Sequence, residues 1–370
     1  MIMLTAKLQI LPDEKQARLL RRTMQAYKDA CNFVSDYVYE THDLKSFSVQ
    51  KVLYRTIRDQ FNLPSQMACS VIRAVIASYK TVLTNQHEWI KPKFKHDICD
   101  LCWNRDYSLT QGLFSVNTLV GRIKLAYHAK GMEKYFDKTW KFGTATLVCK
   151  NKKFYLHIPM TKDIPELQDS DITNIMGIDL GINFLATTYD SQGKTKFYNG
   201  RHIKHKRSKY KKTRQDLQKR QTASSRRKLK QIGQRENRWM SDINHQITKA
   251  LVEQSPKGTL FVLEDLTGIR NVTERVRLKN RYVSVSWAFY DFRMKLEYKA
   301  KLYGHKVITV DPRYTSQTCP KCGHVDKRNR NKKLHSFTCR CCGYTSNDDR
   351  IGAMNLHRKG IDYRSAVMCA

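Results

Sequence analysis

The chain has 370 residues, 41% of them apolar, which is enough to build packed cores and excludes a disordered protein. Its 68 Lys and Arg against 33 Asp and Glu leave a net charge of +35, a self-repulsion that a polyanion relieves, and nucleic acid is the commonest such partner. The basic residues do not line one amphipathic helix with a bulky apolar face, which argues against a membrane surface; a structural RNA-coating protein stays open on charge alone.

Residues 1–10 read as a short strand, and their apolar run is too short for a signal peptide. From Pro12 to about Glu88 apolar residues recur at helical spacing, through Leu20, Met24, Tyr27 and Val34, with Pro64 opening a further helix. That helix holds Arg73, and no stretch approaches the apolar length of a membrane span. After the break at Pro92, YSLTQGLFSVN, GRIKLAYH, GTATLVCK and KFYLHIPM have strand character. The acidic, Pro-containing stretch 162–172 reads as a linker. NIMGIDLGINFLATTYD reads as a hairpin, and Arg201 to Arg238 as a basic helical segment that turns amphipathic through Trp239, Ile243, Ile247 and Leu251. GTLFVLEDL is a buried strand, SWAFYDFRMKLEYKAKLYG a helix stopped at Gly304, and HKVITVDP another strand. A cysteine-rich insert and a short helix, NDDRIGAMNLHRKG, close the pattern. The fold class is therefore α/β.

Three acids carry the first chemical signal. Asp179 and Glu264 end two apolar strands, and Asp349 lies in the first turn of the last helix, after Asn347 as its cap. Such positions share one edge of an α/β sheet, where substrates of these folds bind. Carboxylates gathered there repel unless divalent cations lie between them, and two Mg²⁺ ions about 3.5–4 Å apart suit phosphodiester hydrolysis. A lone acid after a strand is more often a turn residue, and Asp265 and Asp348 compete with their neighbours.

The cysteines carry the stronger signal. Among eleven, Cys319, Cys322, Cys339 and Cys342 form Cys-x2-Cys, sixteen residues, Cys-x2-Cys, a zinc-ribbon spacing. Four thiolates around one Zn²⁺ leave no open position, so the site is structural. Cys341 is the spare. Cys99 and Cys102 lack a second pair, with His96 and His128 no better than accidental partners, and Cys31, Cys69 and Cys149 read as small buried residues. The remaining thiols are those of a cytoplasmic protein, not a disulfide framework.

Between Arg201 and Arg238 the acids are Asp216 and Glu236 alone. A charge run is usually a solvated face, but here phosphate contact is the better reading, through residues such as Arg207, Lys211, Lys212, Arg226 and Arg227. Leu217, Leu229 and Ile232 form a weak docking stripe.

With these residues in hand, the chain resembles the TnpB family, transposon-encoded OrfB-type proteins related to type V CRISPR effectors. GIDLGINFLAT, VLEDLTG, VDPRYTSQTCPKCG, FTCRCCG and NDDRIGAMNL carry the likeness, in the order strand acid, strand acid, ribbon, helix acid. The resemblance implies an RNase H-like RuvC nuclease domain (171–317 and 346–362) with an inserted zinc ribbon (318–345). It also implies an N-terminal β wedge domain (1–10 and 107–170) with a helical recognition insert (11–106), and a tail at 363–370. It matches Asp179, Glu264 and Asp349 to the RuvC acids and prefers Asp349 over Asp348 and Cys342 over Cys341. The third motif is usually Asp-x-Asn-Ala-Ala-x-Asn; Ile351 and Gly352 depart from it. The implied activity is RNA-guided, Mg²⁺-dependent cleavage of DNA, with guide RNA and target DNA as partners in a prokaryotic, nucleoid-associated protein. Arg313, Tyr314 and Ser316 are candidate strand contacts. The rivals are a cleavage-inactive RNA-guided regulator, a zinc-ribbon RNA-binding protein without catalysis, and a transposase acting in strand transfer.

Overall fold

The computed structural model describes residues 1–110, 112–266, 289–332 and 334–368, and divides the chain into two compact units, Met1–Asp163 and Ile164–Ala370. The TG of VLEDLTG, the first three residues of the helix sequence SWAFYDFRMKLEYKAKLYG and Cys369 lie outside the described residues.

The first unit is one antiparallel sheet with helices inserted after its first strand. β1 (Ile2–Leu11) alternates buried Ala6, Leu8 and Ile10 with exposed partners, and pairs along its length with β8 (Lys153–Lys162). The sheet order is β2-β7-β8-β1-β5-β4-β3, with β6 also on β8. It uses the expected strands β3 (Tyr107–Thr110), β4 (Leu113–Thr118), β5 (Gly121–His128) and β7 (Ala145–Lys150). The sequence reading misses β2 (Ile98–Leu101) and β6 (Lys141–Phe142), which are too short to show alternation. Residues 98–101 therefore belong to the sheet, not to the helical insert expected to run to 106.

The insert is three helices: α1 (Glu14–Thr41), α2 (Ser46–Phe61) and α3 (Ser65–Thr84). A capping box starts α1: the Gln16 N–H donates to Asp13 Oδ1 at 2.8 Å, and the Asp13 N–H to Gln16 Oε1 at 3.0 Å. His42 and Asn62, both left-handed, end α1 and α2. Contrary to the sequence expectation, α3 is long and apolar enough by length and composition to cross a membrane. Its Val71, Ile72, Val75, Ile76 and Tyr79 are instead buried within the unit, so packing accounts for them.

The second unit holds a five-stranded sheet in the order β11-β10-β9-β12-β13. β9 (Asn174–Asp179) and β10 (Phe184–Asp190) form the expected hairpin and β11 (Thr195–Asn199) continues it, while β12 (Thr259–Glu264) runs parallel to β9 and to β13 (Lys306–Val310). Period-two alternation gives the sheet two apolar faces. Ile178, Phe261 and Leu263 face α6 (Arg235–Gln254) and α7 (Phe289–Leu302); Ile175, Leu260 and Val262 face α8 (Asp348–Met368) through Leu356. α8 lies close because Gly177 lets it: a Cβ there would stand 2.1 Å from the Ala353 carbonyl oxygen. The helix continues through residues 363–368, part of the stretch expected to form a tail. Tyr363 anchors that end, its hydroxyl donating to Asp169 and accepting from Lys306. The basic segment is α4 (Arg201–Arg220) and α5 (Ala223–Ile232). Between β13 and α8 lies a three-stranded sheet of β14 (Arg330–Asn331), β15 (Ser336–Thr338) and β16 (Thr345–Asn347).

Candidate active site

The register explains why two of the acids meet. Leu263 pairs with Ile178 across the parallel β9–β12 ladder, so Glu264 and Asp179 are the next residues of adjacent strands. Ile178 and Leu263 face α6 and α7; alternation turns the two acids to the other face, toward α8. There Asn347 caps α8, its Oδ1 accepting from the Asp349 N–H at 3.0 Å and the Arg350 N–H at 3.2 Å. Asp349 thus sits in the first turn, as expected of it. Asp265, the competitor of Glu264, pairs instead with Arg293 at 3.8 Å.

The electrostatics show a shared negative potential. Burial holds the Asp179 carboxyl well above the ordinary carboxylate range, and the charges of Glu264 and Asp349 push it further. Burial also raises Glu264, opposed by a hydrogen bond from the Thr315 hydroxyl at 2.5 Å and by Lys359 and Arg330. Asp349 is raised by burial and then by Asp348, against Arg330 and His335. Acids so placed, with hard oxygen ligands, fit divalent cations that would offset their repulsion.

Four further residues complete the surroundings: Asn355, met in the sequence only as the last position of the third motif, and Thr315, Arg330 and His335, which sequence reasoning missed. Thr315 holds Glu264, and Asn355 on α8 fixes Thr315 in turn by donating to its carbonyl at 2.7 Å. From the insert, Arg330 donates to Asp348 Oδ2 at 2.8 Å and reaches within 3.9 Å of Asp349 Oδ1. His335, with Asp348 and Asp349, offers ligand atoms that all lie within 4.8 Å of one another. No sequence signal separates Arg330 or His335 from the basic residues around them.

Cys319, Cys322, Cys339 and Cys342 converge as the spacing predicts. The Sγ atoms of Cys319 and Cys342, and of Cys322 and Cys339, are each 3.6 Å apart, against about 3.8 Å for the edge of a tetrahedron of thiolates 2.3 Å from one ion. The backbone N–H of Cys342 draws the Cys339 thiol down to about 6, while Cys322, against a backbone hydrogen bond from His324, is raised to about 12 by burial and the other thiols. Cys341 is exposed. The cluster packs through Cys319, Cys339 and Phe337 on Ile351, so the departure at 351 faces the insert.

The basic residues divide. Lys212, Arg226 and Arg227 are exposed and Lys211 is half-buried. Arg207 is a correction: it is 3% exposed and pairs with buried Glu236 at 3.2 Å, so it points into the unit and offers no phosphate contact. Arg313 and Tyr314 are exposed beside Thr315, and Ser316 is half-buried. In the first unit, a cavity of about 1780 Å³ is lined by aromatic residues, Trp103, Tyr127, Trp140 and Tyr155 among them, with Lys7 and Lys141.

A family model described as a probable transposase of the OrfB type matches residues 157–270, and one for the TNB domain of Cas12f1-like proteins matches residues 289–356. The chain is 28% identical over 300 residues to a CRISPR-associated endodeoxyribonuclease Cas12f1 of Syntrophomonas palmitatica, covering 75% of this chain and 58% of that protein. It is 29% identical to the TnpB-like protein MJ0751 of Methanocaldococcus jannaschii, covering 65% of this chain and 85% of the relative. The chain spans little more than half the length of the Cas12f1 relatives it matches. A solved Cas12f1 complex with guide RNA and target DNA shares the fold, with a TM-score of 0.58 at 14% identity over 93% of this chain and 83% of that one. The resemblance to the TnpB family read from the motifs is borne out.

Proposed function

We propose that this chain, which resembles the TnpB family, is a transposon-encoded, RNA-guided DNA endonuclease with a RuvC-like nuclease domain, a zinc ribbon, and a wedge domain carrying a helical recognition insert. The observation that carries the reading is the convergence of Asp179, Glu264 and Asp349 on one face of the sheet, with all three carboxyls raised.

In this reading Asp179, Glu264 and Asp349 hold two Mg²⁺ ions. When bound, the ions supply a water nucleophile at neutral pH and stabilise the oxygen leaving the phosphodiester. The chain's own residues prepare that site. Thr315 fixes one Glu264 oxygen, Asn355 fixes Thr315, and Asn347 sets the turn that presents Asp349. Cys319, Cys322, Cys339 and Cys342 hold one structural Zn²⁺, and Phe337 beside them braces α8 through Ile351.

Guide RNA and target DNA are the polyanions that offset a charge of +35. Lys211, Lys212, Arg226 and Arg227 suit their backbones, while exposed Arg313 and Tyr314, with Ser316, suit a strand entering beside Thr315. The cavity of the first unit joins aromatic faces to lysines, a combination that accepts unpaired bases and their phosphates. Sequence choice is left to base pairing. The test is to purify the chain with its transposon-end RNA and offer a matching duplex with Mg²⁺ or with EDTA. Guided cleavage in Mg²⁺ alone is expected; binding without cleavage would favour an inactive regulator.

A further inference from the structure

The loop between β13 and the cysteine-rich insert reads DPRYTSQT, and one of its residues breaks a backbone rule. Tyr314 has a φ of 63°, in the left-handed region that a bulky side chain rarely adopts. The other described non-glycine residues with positive φ are Asn, His, Lys and Gln; Tyr314 is the one phenol among them. Asparagine or glycine would satisfy that backbone at lower cost, so the turn itself does not call for a tyrosine. Core packing does not call for it either, because the residue is 59% exposed. An aromatic side chain kept at a strained position and left in solvent points to a ligand that uses it.

The loop is fastened so that this residue is presented in one place. Asn355 and Lys359, one turn apart on α8, hold it by its carbonyls. Asn355 Nδ2 donates to Thr315 at 2.7 Å and to Thr318 at 2.9 Å, and Lys359 Nζ donates to Asp311 at 2.5 Å. The Tyr314 carbonyl accepts from the N–H groups of Gln317 and Thr318, both at 3.0 Å, and from the Thr318 hydroxyl at 2.8 Å. The next residue, Thr315, touches Glu264 through its hydroxyl. Consecutive Cα atoms are about 3.8 Å apart, so Tyr314 stands beside the acid cluster. On its other side the Arg313 side chain is 82% exposed.

We propose that Tyr314 is a stacking platform for one unpaired base of the DNA strand being cut, and so a positioning residue for the scissile phosphate. The inference rests on the nuclease reading, which puts that strand beside Glu264. Bases within a duplex already stack on one another, so an unpaired base is the one that offers its face. The ring takes that base whatever its identity, since every base has a π-face, while Arg313 supplies a cation for the adjoining phosphate. Stacking at this point acts on the strand after pairing with the guide has bound it, so it sets the rate of cutting more than the affinity.

The experiment uses the full chain bound to its RNA and a matched duplex, held uncut in EDTA. A fluorescent adenine analogue is placed in turn at each position around the cut; it is bright when unstacked and quenched when it lies on a tyrosine ring. The wild-type complex should quench one unpaired position, Tyr314→Phe should keep that quenching, and Tyr314→Gly should restore the fluorescence. In Mg²⁺, Tyr314→Gly should slow single-turnover cleavage about tenfold or more and change the duplex Kd by less than about twofold. Its melting temperature should be no lower than that of wild type, since glycine suits the left-handed backbone. Quenching kept in Tyr314→Gly, an unchanged cleavage rate, or a lowered melting temperature that accounts for the loss overturns the platform while leaving guided cleavage intact. A wild-type complex that quenches no position and cuts no DNA in Mg²⁺ overturns the nuclease reading as well.

Discussion

The backbone of Gly352 lies against the carboxyl of Asp179: a Cβ at 352 would stand 2.9 Å from Asp179 Cγ and 3.1 Å from Oδ2. The motif of the TnpB family, which the chain resembles, has alanine at this position, and the Asp179 carboxyl here lies where that methyl would leave it no room. Gly352→Ala should displace that carboxylate at a cost of about 1–3 kcal/mol. The Mg²⁺ concentration for half-maximal cleavage should rise about three- to tenfold, and the melting temperature should fall by about 2–4 °C per kcal/mol of that cost. An unchanged Mg²⁺ requirement would mean that Asp179 is not held as described.

If the four cysteines hold an ion as proposed, its removal should unfold the segment around them. Cys322→Ser, or exhaustive chelation, is expected to lower thermal stability and expose Phe337, because thiolate binding supplies folding energy directly. Cys341→Ser should stay within about 0.5 kcal/mol of wild type, since that thiol is exposed and outside the set. Elemental analysis should find one zinc per chain in wild type and in Cys341→Ser, and less in Cys322→Ser.

Arg207 and Lys212 stand on the same helix and should behave oppositely. Arg207→Gln removes the 3.2 Å ion pair from buried Glu236, whose contact with Arg214 at 3.4 Å is longer, and should cost about 3–5 kcal/mol in denaturant melts. Lys212→Gln should leave stability within about 0.5 kcal/mol. It should instead weaken RNA binding and reduce the slope of log affinity against log salt by about one.

His305 links β13 to α6 as a neutral ring. Its Nδ1 accepts from the Thr259 N–H at 3.3 Å, its Nε2 donates to the Val252 carbonyl at 3.0 Å, and burial lowers its pKa from 6.5. A histidine lowered on folding stabilises above its unfolded value. That contribution is lost as pH falls below about 6.5 toward the folded value. The melting temperature should therefore drop between pH 7 and 5, and His305→Gln should drop less over the same range. Parallel slopes for the two proteins would remove His305 from the account.

These outcomes show where the sequence was legible. Asp179, Glu264 and Asp349 and the four cysteines could be read because strand ends, a helix cap and Cys-x2-Cys turns are local features. The hairpin of β9 and β10 was legible for the same reason. Arg330, His335 and Thr315 were not, since their roles come from how the insert folds back on α8, a contact with no short-range signature. Arg207 misled because a helix as basic as α4 hides its few inward positions: Ile203 and Arg207 share the buried side. Gly352 stood out only as a departure from the motif, and the approach of Asp179 explains what the missing methyl leaves room for.

The three carboxylates are proposed to support DNA cleavage under RNA guidance. The most direct measurement is cleavage of a matched duplex by the purified RNA complex, wild type against Asp179→Ala, in Mg²⁺ and in EDTA. Wild type should cut in Mg²⁺ only, and Asp179→Ala should bind RNA and duplex without cutting. Equal cleavage by the two proteins, or none by the intact wild-type complex in Mg²⁺, would contradict it.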